Sequence, residues 1–458
     1  MRPLLVIVFV AYCAHLILAD APCAARQVPG QSVVCVCNQS YCDRLQRQPP
    51  AAGQYVLYTS SRAGSRFKKT VGSLQTSTDE TSKFCGTTVE VDPTTRFQRI
   101  EGFGGAVTDA AGINWKSLPD ALQKYLVESY ASETGLEYNM LRVPIGGCDF
   151  STHPYAYNEL PVNDTLLTNF TLAPEDYNYK IPLIKALMSA ATAPVRVVGT
   201  TWSPPPWMKT NNKYSSYSQL KREFYQTYAD YHIKFIEKYQ AAGVPVWAVT
   251  TTNEPIDALF NLAKFNTLGW TVGHMGEYIE KNLGPTIRNS TYKDVKIFTG
   301  DDQRFTIPFY FNELVRNHPK ALQYLAGVAV HWYADMITPA AVLSAAHEAH
   351  PDKLILATEA CEGSKSLRGR LDRLEYLLEH GGGPQLGEEL RGLPHHSGRV
   401  RCGVHKAADV LRAGPRDQVR AARLAPGAAG APQGAVRGLP ADHSVPDAAS
   451  HRGAHHVQ

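Results

Sequence analysis

The regular alternation of short apolar runs with helical segments between residues 96 and 363 constrains the fold of this chain more than any other feature. Seven runs end in polar, aromatic or glycine-rich sequence, and most are rich in β-branched residues: Gln98 to Gly105, Tyr138 to Pro144, Pro194 to Thr200, Val244 to Thr252, Val295 to Gly300, Leu325 to Trp332 and Lys353 to Thr358. Segments between them fit a helical period: Leu118 to Ser132, Lys180 to Ala191, Leu220 to Ala242, His274 to Asn289 and Ala340 to His350. Alternation of buried strands with helices indicates parallel βαβ units.

Seven such units predict an α/β fold, a (β/α)8 TIM barrel over residues 96–363 that lacks a recognisable eighth strand. The rival is a doubly wound open sheet. In that fold a glycine-rich phosphate turn follows the first strand, and Gly102-Phe103-Gly104-Gly105 lacks the required spacing. We therefore expect the barrel. Residues 20–95 are strand-rich and rich in cysteine, which predicts a small second domain of β-structure.

The N-terminus is typical of a secretory signal peptide over residues 1–19. Arg2 precedes an apolar run from Leu4 to Leu18, and the small residue Ala19 precedes Asp20. The run is short for a membrane span, and no later segment is apolar enough to cross a bilayer. Four N-x-S/T sequons agree with passage through the secretory pathway, at Asn38, Asn163, Asn169 and Asn289. We therefore expect a secreted or lysosomal glycoprotein without a transmembrane segment.

Four cysteines lie close together near the expected mature start, at Cys23, Cys35, Cys37 and Cys42. In an oxidising compartment such a cluster predicts two disulfides, for which three pairings are possible. The short spacing of Cys37 and Cys42 suits a small loop, which leaves Cys23 for Cys35. A zinc site is disfavoured because the segment lacks histidine and paired CxxC knuckles. The formal net charge of +4 is nearly balanced, with no basic stripe typical of nucleic-acid binding.

Residues 364–458 differ in composition from the rest of the chain. They contain no Trp, Phe, Ile, Met, Asn or Thr, and they carry 12 Arg against 2 Lys with repeated Ala, Gly and Pro. A disordered low-complexity tail has such a composition. A shifted reading frame in GC-rich coding sequence explains it better, because those residue types have GC-rich codons. On either interpretation, the tail is a poor source for an eighth strand.

Two glutamates follow strand-like runs and are candidates for catalysis. Glu254 lies in Thr251-Thr252-Asn253-Glu254-Pro255 after the fourth run, and Glu359 follows Leu354 to Thr358 at the end of the seventh. In a barrel both would project from the carboxyl-terminal mouth. A single strand-end glutamate is more often an exposed charge or a helix cap. Two carboxyl groups at one mouth, however, are what glycoside hydrolysis requires.

Aromatic residues also follow predicted strands. Trp202 and Trp207 come after the third run, and His331-Trp332-Tyr333 comes after the sixth. Buried aromatics are usually part of a core. Clustered beside proline and polar groups at one barrel mouth, they are expected to form a platform for a sugar face.

Together, the motifs resemble those of the glucosylceramidase (acid β-glucosidase) family over roughly residues 22 to 364. The motifs that carry the resemblance are Glu101 to Ala111, Leu141 to Pro144, Cys148 to Ser151, Asp301 to Arg304, His331 to Tyr333, Thr358 to Cys361 and the early Cys35-Val36-Cys37-Asn38 with Tyr41-Cys42. The resemblance implies a retaining, covalent-intermediate mechanism with Glu254 as acid/base and Glu359 as nucleophile. It also implies two disulfides, an acidic optimum, no cofactor or metal, and a glycosphingolipid presented at a membrane surface with a saposin-like activator.

Further roles are implied at matching positions. Asp109, Trp202 and Asn253 match residues that bind glucose hydroxyls, Tyr333 matches an aromatic residue beside the nucleophile, and Phe265 matches an aromatic residue at the entrance. Arg142 is expected either to hold the environment of the nucleophile or to form a structural ion pair.

The chain departs from the family after Ser364, where a helix, an eighth strand and the rest of a β-sandwich domain should follow. An open barrel exposes strand edges and apolar surface. The sequence therefore predicts glucosylceramide hydrolysis as the function. Because the barrel is incomplete, an inactive polypeptide is a second expectation. A related β-xylosidase or β-1,6-glucanase is the alternative enzyme, and a secreted glycan- or lipid-binding protein is the non-catalytic alternative.

Overall fold

The computed structural model describes residues 21–27, 33–44, 47, 49–61, 63–74, 92, 94–260, 264–361, 404–406 and 455–457. The predicted signal peptide and most of residues 364–458 lie outside this part of the chain.

The described part of the N-terminal region contains four strands, β1 (Ala25–Arg26), β2 (Val34–Cys37), β3 (Gln54–Thr59) and β4 (Lys68–Ser73). Strands β1 and β2 pair antiparallel, as do β3 and β4. Two disulfides, Cys23–Cys35 and Cys37–Cys42, connect the first pair and the turn after it. The β-rich, disulfide-linked character predicted for this region is confirmed.

Seven strands form one parallel sheet in chain order: β5 (Gly104–Ala106), β6 (Met140–Ile145), β7 (Arg196–Thr201), β8 (Val246–Thr250), β9 (Lys296–Gln303), β10 (Leu325–His331) and β11 (Leu354–Glu359). All six pairings between neighbours are parallel. This curled half-barrel confirms the predicted TIM-barrel class and its seven strands. The first strand is shorter than the run Gln98 to Gly105 predicted, because pairing with β6 begins only at Gly104.

In the residues that the structure describes, eight α-helices accompany the sheet: α1 (Asp109–Ser117), α2 (Asp120–Ala131), α3 (Ile181–Ala190), α4 (Tyr225–Ala241), α5 (Val272–Tyr278), α6 (Gly284–Arg288), α7 (Asn312–Asn317) and α8 (Ala341–Ala349). They lie in the segments between strands, as the βαβ pattern predicted. The run His274 to Asn289 is divided between α5 and α6 by one π-helical turn. None of the helices described is both long and apolar enough to cross a membrane.

The core lies on both faces of the sheet. Val197, Val249 and Ile297 pack in the large cluster that includes the helices, whereas their neighbours Val198 and Ala248 belong to a smaller cluster with residues of β9 and β10. Successive side chains of a strand point to opposite faces. Burial on both faces therefore explains why the central strands read as continuous apolar runs rather than as alternating ones.

The two outer strands are less buried than the central ones. All three residues of β5 are exposed, and five of the six in β11 are only partly buried, whereas every residue of β6 is buried. In the described part of the chain, β5 pairs only with β6 and β11 only with β10. The open sheet predicted from the missing eighth strand is therefore the arrangement that these residues adopt.

Within residues 364–458 the structure describes two strands, β12 (Val404–Lys406) and β13 (His455–Val457). Strand β12 pairs antiparallel with β2, and β13 pairs antiparallel with β3. These six residues depart from the disordered tail that composition predicted. Edge strands offer unpaired backbone groups that a segment of almost any composition can satisfy.

Candidate active site

Polar side chains gather where the parallel strands end. Arg142 lies on β6, Asp301 on β9, His331 at the end of β10 and Glu359 at the end of β11, while Glu254 follows β8. The carboxyl ends of parallel strands meet at one edge of a sheet, which is where barrel enzymes carry catalytic groups. The placement of Glu254 and Glu359 at one mouth, expected from the sequence, is what the structure has.

The two glutamates approach each other closely. One carboxylate oxygen of Glu254, one of Glu359 and a ring nitrogen of His331 all lie within 4.8 Å of one another. The Glu254 amide donates to the Asp301 carbonyl over 2.9 Å, and Glu254 has a φ of +39°. This left-handed conformation, uncommon for a residue with a side chain, fixes the direction of the carboxyl group after β8.

Arg142 connects three oxygens of the site. Its guanidinium donates to Glu359 Oε2 over 2.6 Å, to Asn253 Oδ1 over 2.7 Å and to Asp301 Oδ2 over 2.8 Å. Burial alone would lower its pKa, but the attraction of Asp301 and Glu359 outweighs burial and holds the Arg142 pKa above its usual value. Arg142 therefore forms a buried ion pair with Asp301 and a second ion pair with Glu359.

His331 lies between two carboxyl groups. Its Nδ1 is 2.8 Å from Glu254 Oε1, and its Nε2 is 3.2 Å from Asp301 Oδ1. Burial works against a charged imidazole, yet Glu359, Asp301 and Glu254 raise the pKa of His331 well above its usual value. A protonated ring can donate to an oxygen of each carboxyl group. His331 was expected in an aromatic platform for sugar; instead it is buried and contacts Glu254 and Asp301.

The carboxyl groups of the site have divergent pKa values. Burial raises the pKa of Glu254, and the hydrogen bond from His331 opposes this in part. Burial also raises the pKa of Asp302 to about 7. For Asp301 the effect of burial is outweighed by Arg142 and His331, which lower its pKa. Pairs of carboxyl groups whose surroundings push their pKa values apart are typical of acid and base assignments in hydrolases.

The predicted substrate-binding residues fall around this centre. Tyr333 donates to Glu359 Oε1 over 2.9 Å. The Trp202 ring packs against the Arg142 guanidinium, with 4.7 Å from Cζ to the ring centroid. Asn253 accepts from the same guanidinium. The structure thus brings Tyr333, Trp202 and Asn253 together with the two glutamates.

Asp109 begins α1 directly after β5, where Thr108 caps the helix by accepting from the Ala111 amide. Its carboxylate accepts from the Ser151 hydroxyl over 2.6 Å and from the Tyr155 hydroxyl over 2.9 Å. The buried Lys180 ammonium lies 3.6 Å away. Both oxygens of the Asp109 carboxylate are therefore engaged by neighbouring side chains.

Phe265 and Trp207 were also singled out from the sequence. Phe265 lines a cavity of about 390 Å³ together with Tyr214, Lys213 and Lys264, and neither Glu254 nor Glu359 is among the residues that line it. Trp207 was expected in the sugar platform, but it is buried, packs edge-on against Phe224, and donates to a backbone carbonyl. Trp207 therefore belongs to the large buried cluster rather than to a platform for sugar.

The four sequon asparagines, Asn38, Asn163, Asn169 and Asn289, are all exposed. Exposure is what attachment of a glycan requires.

Glu254, His331 and Glu359 are close enough to serve as metal ligands. Both imidazole nitrogens of His331 already bond carboxylates, however, and its raised pKa favours the protonated ring, which cannot bind a metal. The donor set fits a proton-transfer site better than a metal centre.

Sequence reasoning did not identify Gln303 and Asp257 as part of the site. Gln303 donates to Glu254 Oε1 over 2.9 Å. The Asp257 amide donates to the Glu254 carbonyl over 3.0 Å. Both residues come within a few positions of a strand end, which is the only local signal that marks them.

The chain is similar to known glycoside hydrolases. The sequence model of the glycosyl hydrolase family 30 TIM-barrel domain matches residues 100–376. Lysosomal acid glucosylceramidase of Mus musculus is 41% identical over 350 residues, 75% of this chain and 67% of that protein. Putative glucosylceramidase 4 of Caenorhabditis elegans is 42% identical over 337 residues, 72% of this chain and 64% of that protein. The chain thus spans about two thirds of the length of these relatives.

Solved structures support the fold. The endo-β1,6-glucanase BT3312 superimposes with a TM-score of 0.59 at 24% identity, covering 69% of this chain and 67% of that one. At this identity the likeness shows the fold alone.

Proposed function

The chain belongs to glycosyl hydrolase family 30, and from this premise we propose that it is a retaining β-glucosidase that cleaves glucosylceramide to glucose and ceramide. Glu254 is proposed as the acid/base and Glu359 as the nucleophile. The glucosylceramidases of mouse and worm, which carry that activity in their names, support the substrate.

The separation of the two glutamates is the observation that carries the proposed mechanism. Their nearest site oxygens lie within 4.8 Å. Retaining glycosidases have carboxyl groups about 5–5.5 Å apart, whereas inverting ones need roughly 6.5–9.5 Å to admit a water molecule between them. The short distance favours direct attack by one carboxylate on the anomeric carbon.

The proposed reaction begins with Glu254 protonated, because burial raises its pKa. Glu359 attacks the anomeric carbon as Glu254 gives its proton to the leaving oxygen, and ceramide departs. Glu254, now a carboxylate, then takes a proton from water, which attacks the same carbon and releases glucose from Glu359. Arg142 and Tyr333 donate to Glu359 throughout and fix the direction of its oxygens.

Asp109, Trp202 and Asn253 are proposed to bind the glucose hydroxyls. For Trp202 and Asn253 this is supported by their contacts with Arg142, which bonds Glu359. A carboxylate such as that of Asp109 can accept hydrogen bonds from hydroxyl groups. Phe265 is proposed to lie farther out, at an entrance that the lipid part of the substrate passes.

Exposed apolar side chains support a lipid substrate at a membrane surface. Phe260, Phe309, Met336 and Ile337 follow the carboxyl ends of β8, β9 and β10, and their exposed fractions range from 54% to 91%. Large apolar side chains exposed near one mouth are typical of sites that meet apolar partners. We also propose that a saposin-like activator presents the substrate. The proposed location is the secretory pathway or the lysosome, and the exposed sequons are consistent with that location.

The alternatives are a β-xylosidase or β-1,6-glucanase on the same barrel, and a non-catalytic binding protein. The two engaged, closely spaced glutamates favour the enzyme. In the described residues β5 and β11 each pair with one strand only. An inactive polypeptide is therefore one of the outcomes that the test distinguishes.

The test uses a mechanism-based covalent β-glucosidase probe on the purified full-length chain. We expect wild type to be labelled, Glu359→Gln to lose labelling, and the exposed Glu223→Gln to be labelled like wild type. Wild type should also release glucose from glucosylceramide vesicles faster than from xylan or β-1,6-glucan. Folded wild type that takes no label contradicts the catalytic proposal, and activity on xylan alone contradicts the substrate.

A further inference from the structure

Gln303, the last residue of β9, lies beside the proposed catalytic acid. In the register of β9 and β10, Gln303 is opposite His331. Both side chains reach the same atom of Glu254: Gln303 Nε2 donates to Oε1 over 2.9 Å, and His331 Nδ1 is 2.8 Å from Oε1. Two neighbouring strand ends therefore contact one oxygen of the Glu254 carboxyl group.

An extra residue in β9 produces this register. Ala329 pairs with Gly300 and Val330 pairs with Asp302, so the pairing with β10 passes over Asp301. Gly300 and Asp301 have φ angles of +85° and +52°. Without the extra residue, the partner of His331 would be Asp302 and not Gln303. Bulges of this kind redirect side chains beside active sites.

The orientation of the Gln303 side-chain amide follows from its second contact. The Ala334 backbone amide, which can only donate, lies 3.2 Å from Gln303 Oε1. The side-chain oxygen therefore faces Ala334, and the NH2 group faces Glu254. The Gln303 backbone amide also donates to Asp302 Oδ1 over 2.7 Å. Gln303 is thus fixed as a donor to Glu254.

Donors at Oε1 decide which oxygen of Glu254 carries its proton. Gln303 donates at every pH. The carboxyl groups around His331 raise its pKa despite its burial, which favours a ring that donates as well. A carboxyl group that accepts two N–H bonds at one oxygen carries its proton on the other. The proton of Glu254 then lies on Oε2.

The Gln303 bond strengthens as that proton leaves. A donor bonds an ionised carboxylate more strongly than it bonds a neutral carboxyl group. Gln303 therefore favours the ionised form of Glu254, and the neutral form becomes a stronger acid.

We propose that Gln303 is a positioning residue that holds Oε1 of Glu254, directs the proton of Glu254 to Oε2, and stabilises the carboxylate formed when that proton is transferred. This inference rests on the proposed function of Glu254. In the first step the Oε2–H bond breaks and the proton goes to the leaving oxygen. In the second step a proton from water returns to Oε2. Gln303 itself gains and loses no proton.

Gln303 also connects the acid to the segment that carries Tyr333. Ala334, which donates to Gln303, directly follows Tyr333, and the Tyr333 hydroxyl donates to Glu359 Oε1 over 2.9 Å. Loss of the contact with Ala334 is therefore a second route by which a substitution at Gln303 affects the site. The variants must separate this contact from the contact with Glu254.

Titratable groups lie around Glu254 on several elements: Glu359 on β11, His331 on β10, Asp301 and Asp302 on β9, and Asp257 on its own turn. The Gln303 amide is uncharged throughout the working pH range. A change in the pKa of Glu254 on removal of this amide therefore reports a lost hydrogen bond and not a lost charge.

The test compares Gln303→Met and Gln303→Glu with wild type. Methionine has a similar length and makes neither bond. Glutamate keeps an acceptor for the Ala334 amide, but its carboxylate cannot donate to Glu254. The matched control is Gln226→Met, because Gln226 is exposed on α4 and donates to Asp230 and Thr286.

The substrates are an alkyl β-glucoside, whose leaving group needs a proton, and 2,4-dinitrophenyl β-glucoside, whose leaving group does not. For both Gln303 variants we expect kcat/KM on the alkyl glucoside to fall about tenfold or more, and kcat/KM on the dinitrophenyl glucoside to fall less than about threefold. The alkaline limb of kcat/KM should move to higher pH, because the donor that favoured ionised Glu254 is gone. Gln226→Met should match wild type on both substrates.

Equal losses on the two substrates indicate general damage to the site and overturn the inference. Wild-type behaviour of Gln303→Glu also overturns it, because the Ala334 contact alone would then account for any loss in Gln303→Met.

Infrared difference titration provides a readout that needs no turnover, with Glu254→Gln identifying the Glu254 carboxyl band. The pKa of Glu254 should be higher in Gln303→Met than in wild type, and an equal pKa overturns the inference. If wild type lacks glucosidase activity but Gln303→Met shows the shift, the proposed function fails and the role of Gln303 toward Glu254 stands.

Discussion

Arg142 shows how one side chain can organise a site. Its planar guanidinium presents several donors in a fixed arrangement, and here they reach Glu359, Asp301 and Asn253 at once. The three acceptors come from the ends of β11 and β9 and from the segment after β8. A buried cation of this shape therefore joins strands that are far apart in sequence.

Replacement by lysine tests this geometry. Arg142→Lys keeps the charge, but a single ammonium cannot reach all three acceptors. We expect kcat to fall at least tenfold and the free energy of unfolding to fall by about 1–3 kcal/mol, since a buried acceptor loses its donor. Steady-state kinetics and urea unfolding measure the two effects.

Arg316→Lys is the matched control, because Arg316 pairs with Glu313 on an exposed helix. Its unfolding free energy should change by less than about 0.5 kcal/mol. Equal behaviour of the two variants would show that the three-way bridge contributes nothing.

At the same scale, the sequence located the glutamates but not their partners. Glu254 and Glu359 each end a recognisable apolar run, so their position is a local property. Asp257 and Gln303 lie in segments whose path depends on a left-handed residue and on contacts with other strands. His331 could be read as one of three aromatic residues, since nothing in its own segment shows that two carboxylates flank it.

Among the larger elements, the loops after β7 and β8 are joined by a buried lysine. Lys209 Nζ donates to Ser203 Oγ over 3.0 Å and to the carbonyls of Tyr214 and Thr267 over 2.6 Å each. No carboxylate contributes to this arrangement, and burial lowers the pKa of Lys209 to about 7. Lys209 therefore connects the two loops through neutral oxygen acceptors, and burial of its charged form lowers the free energy of unfolding.

This predicts an unusual dependence of stability on pH. Lysine in the unfolded chain titrates near 10.5, whereas Lys209 in the folded chain titrates near 7. Between these values the unfolded state binds more protons, so the free energy of unfolding rises with pH. The unfolding free energy of wild type minus that of Lys209→Met should therefore become more positive from pH 7 to pH 10, with a slope approaching about 1.4 kcal/mol per pH unit.

Urea unfolding at several pH values measures this slope. The exposed Lys185→Met provides the comparison, and its difference from wild type should stay constant. A flat difference for Lys209→Met would mean that its charge state is the same in the folded and unfolded chains.

The elements themselves were predicted best where burial is uniform. Strands β6 to β10 lie within or close to the predicted runs because both of their faces are apolar. The first run was predicted to start at Gln98, yet pairing starts at Gly104, where an added Cβ would overlap the Met140 carbonyl oxygen. Lys180 and Lys209 were not predicted to be buried, because a charged residue in a helical or loop pattern is normally solvated.

For the molecule as a whole, the two outer strands of the parallel sheet, β5 and β11, are expected to differ most from the central strands in local stability. The amide groups of the central strand β8 are covered by β7 and β9, whereas β11 has a single partner among the described strands. Exchange of backbone hydrogen requires local opening, which is easiest where few contacts must be broken.

Hydrogen exchange followed by mass spectrometry tests this expectation. Peptides covering β11 and β5 should exchange faster than peptides covering β8, by tenfold or more. Peptides from α4, which packs on the sheet, serve as an internal standard for slow exchange. Equal protection of β11 and β8 would indicate that a further segment covers the outer edge of β11.

The sequence by itself determined the strand–helix alternation, the placement of Glu254 and Glu359 at strand ends, and the cysteine cluster. Each of these depends on residues that are close in the chain. Only the tertiary structure decided that site oxygens of the two glutamates lie within 4.8 Å of each other, that His331 lies between the carboxyl groups of Glu254 and Asp301, and that Gln303 donates to Glu254. The physical reason is that electrostatic interactions depend on distance and burial, and both are set by contacts between strands that are remote in sequence.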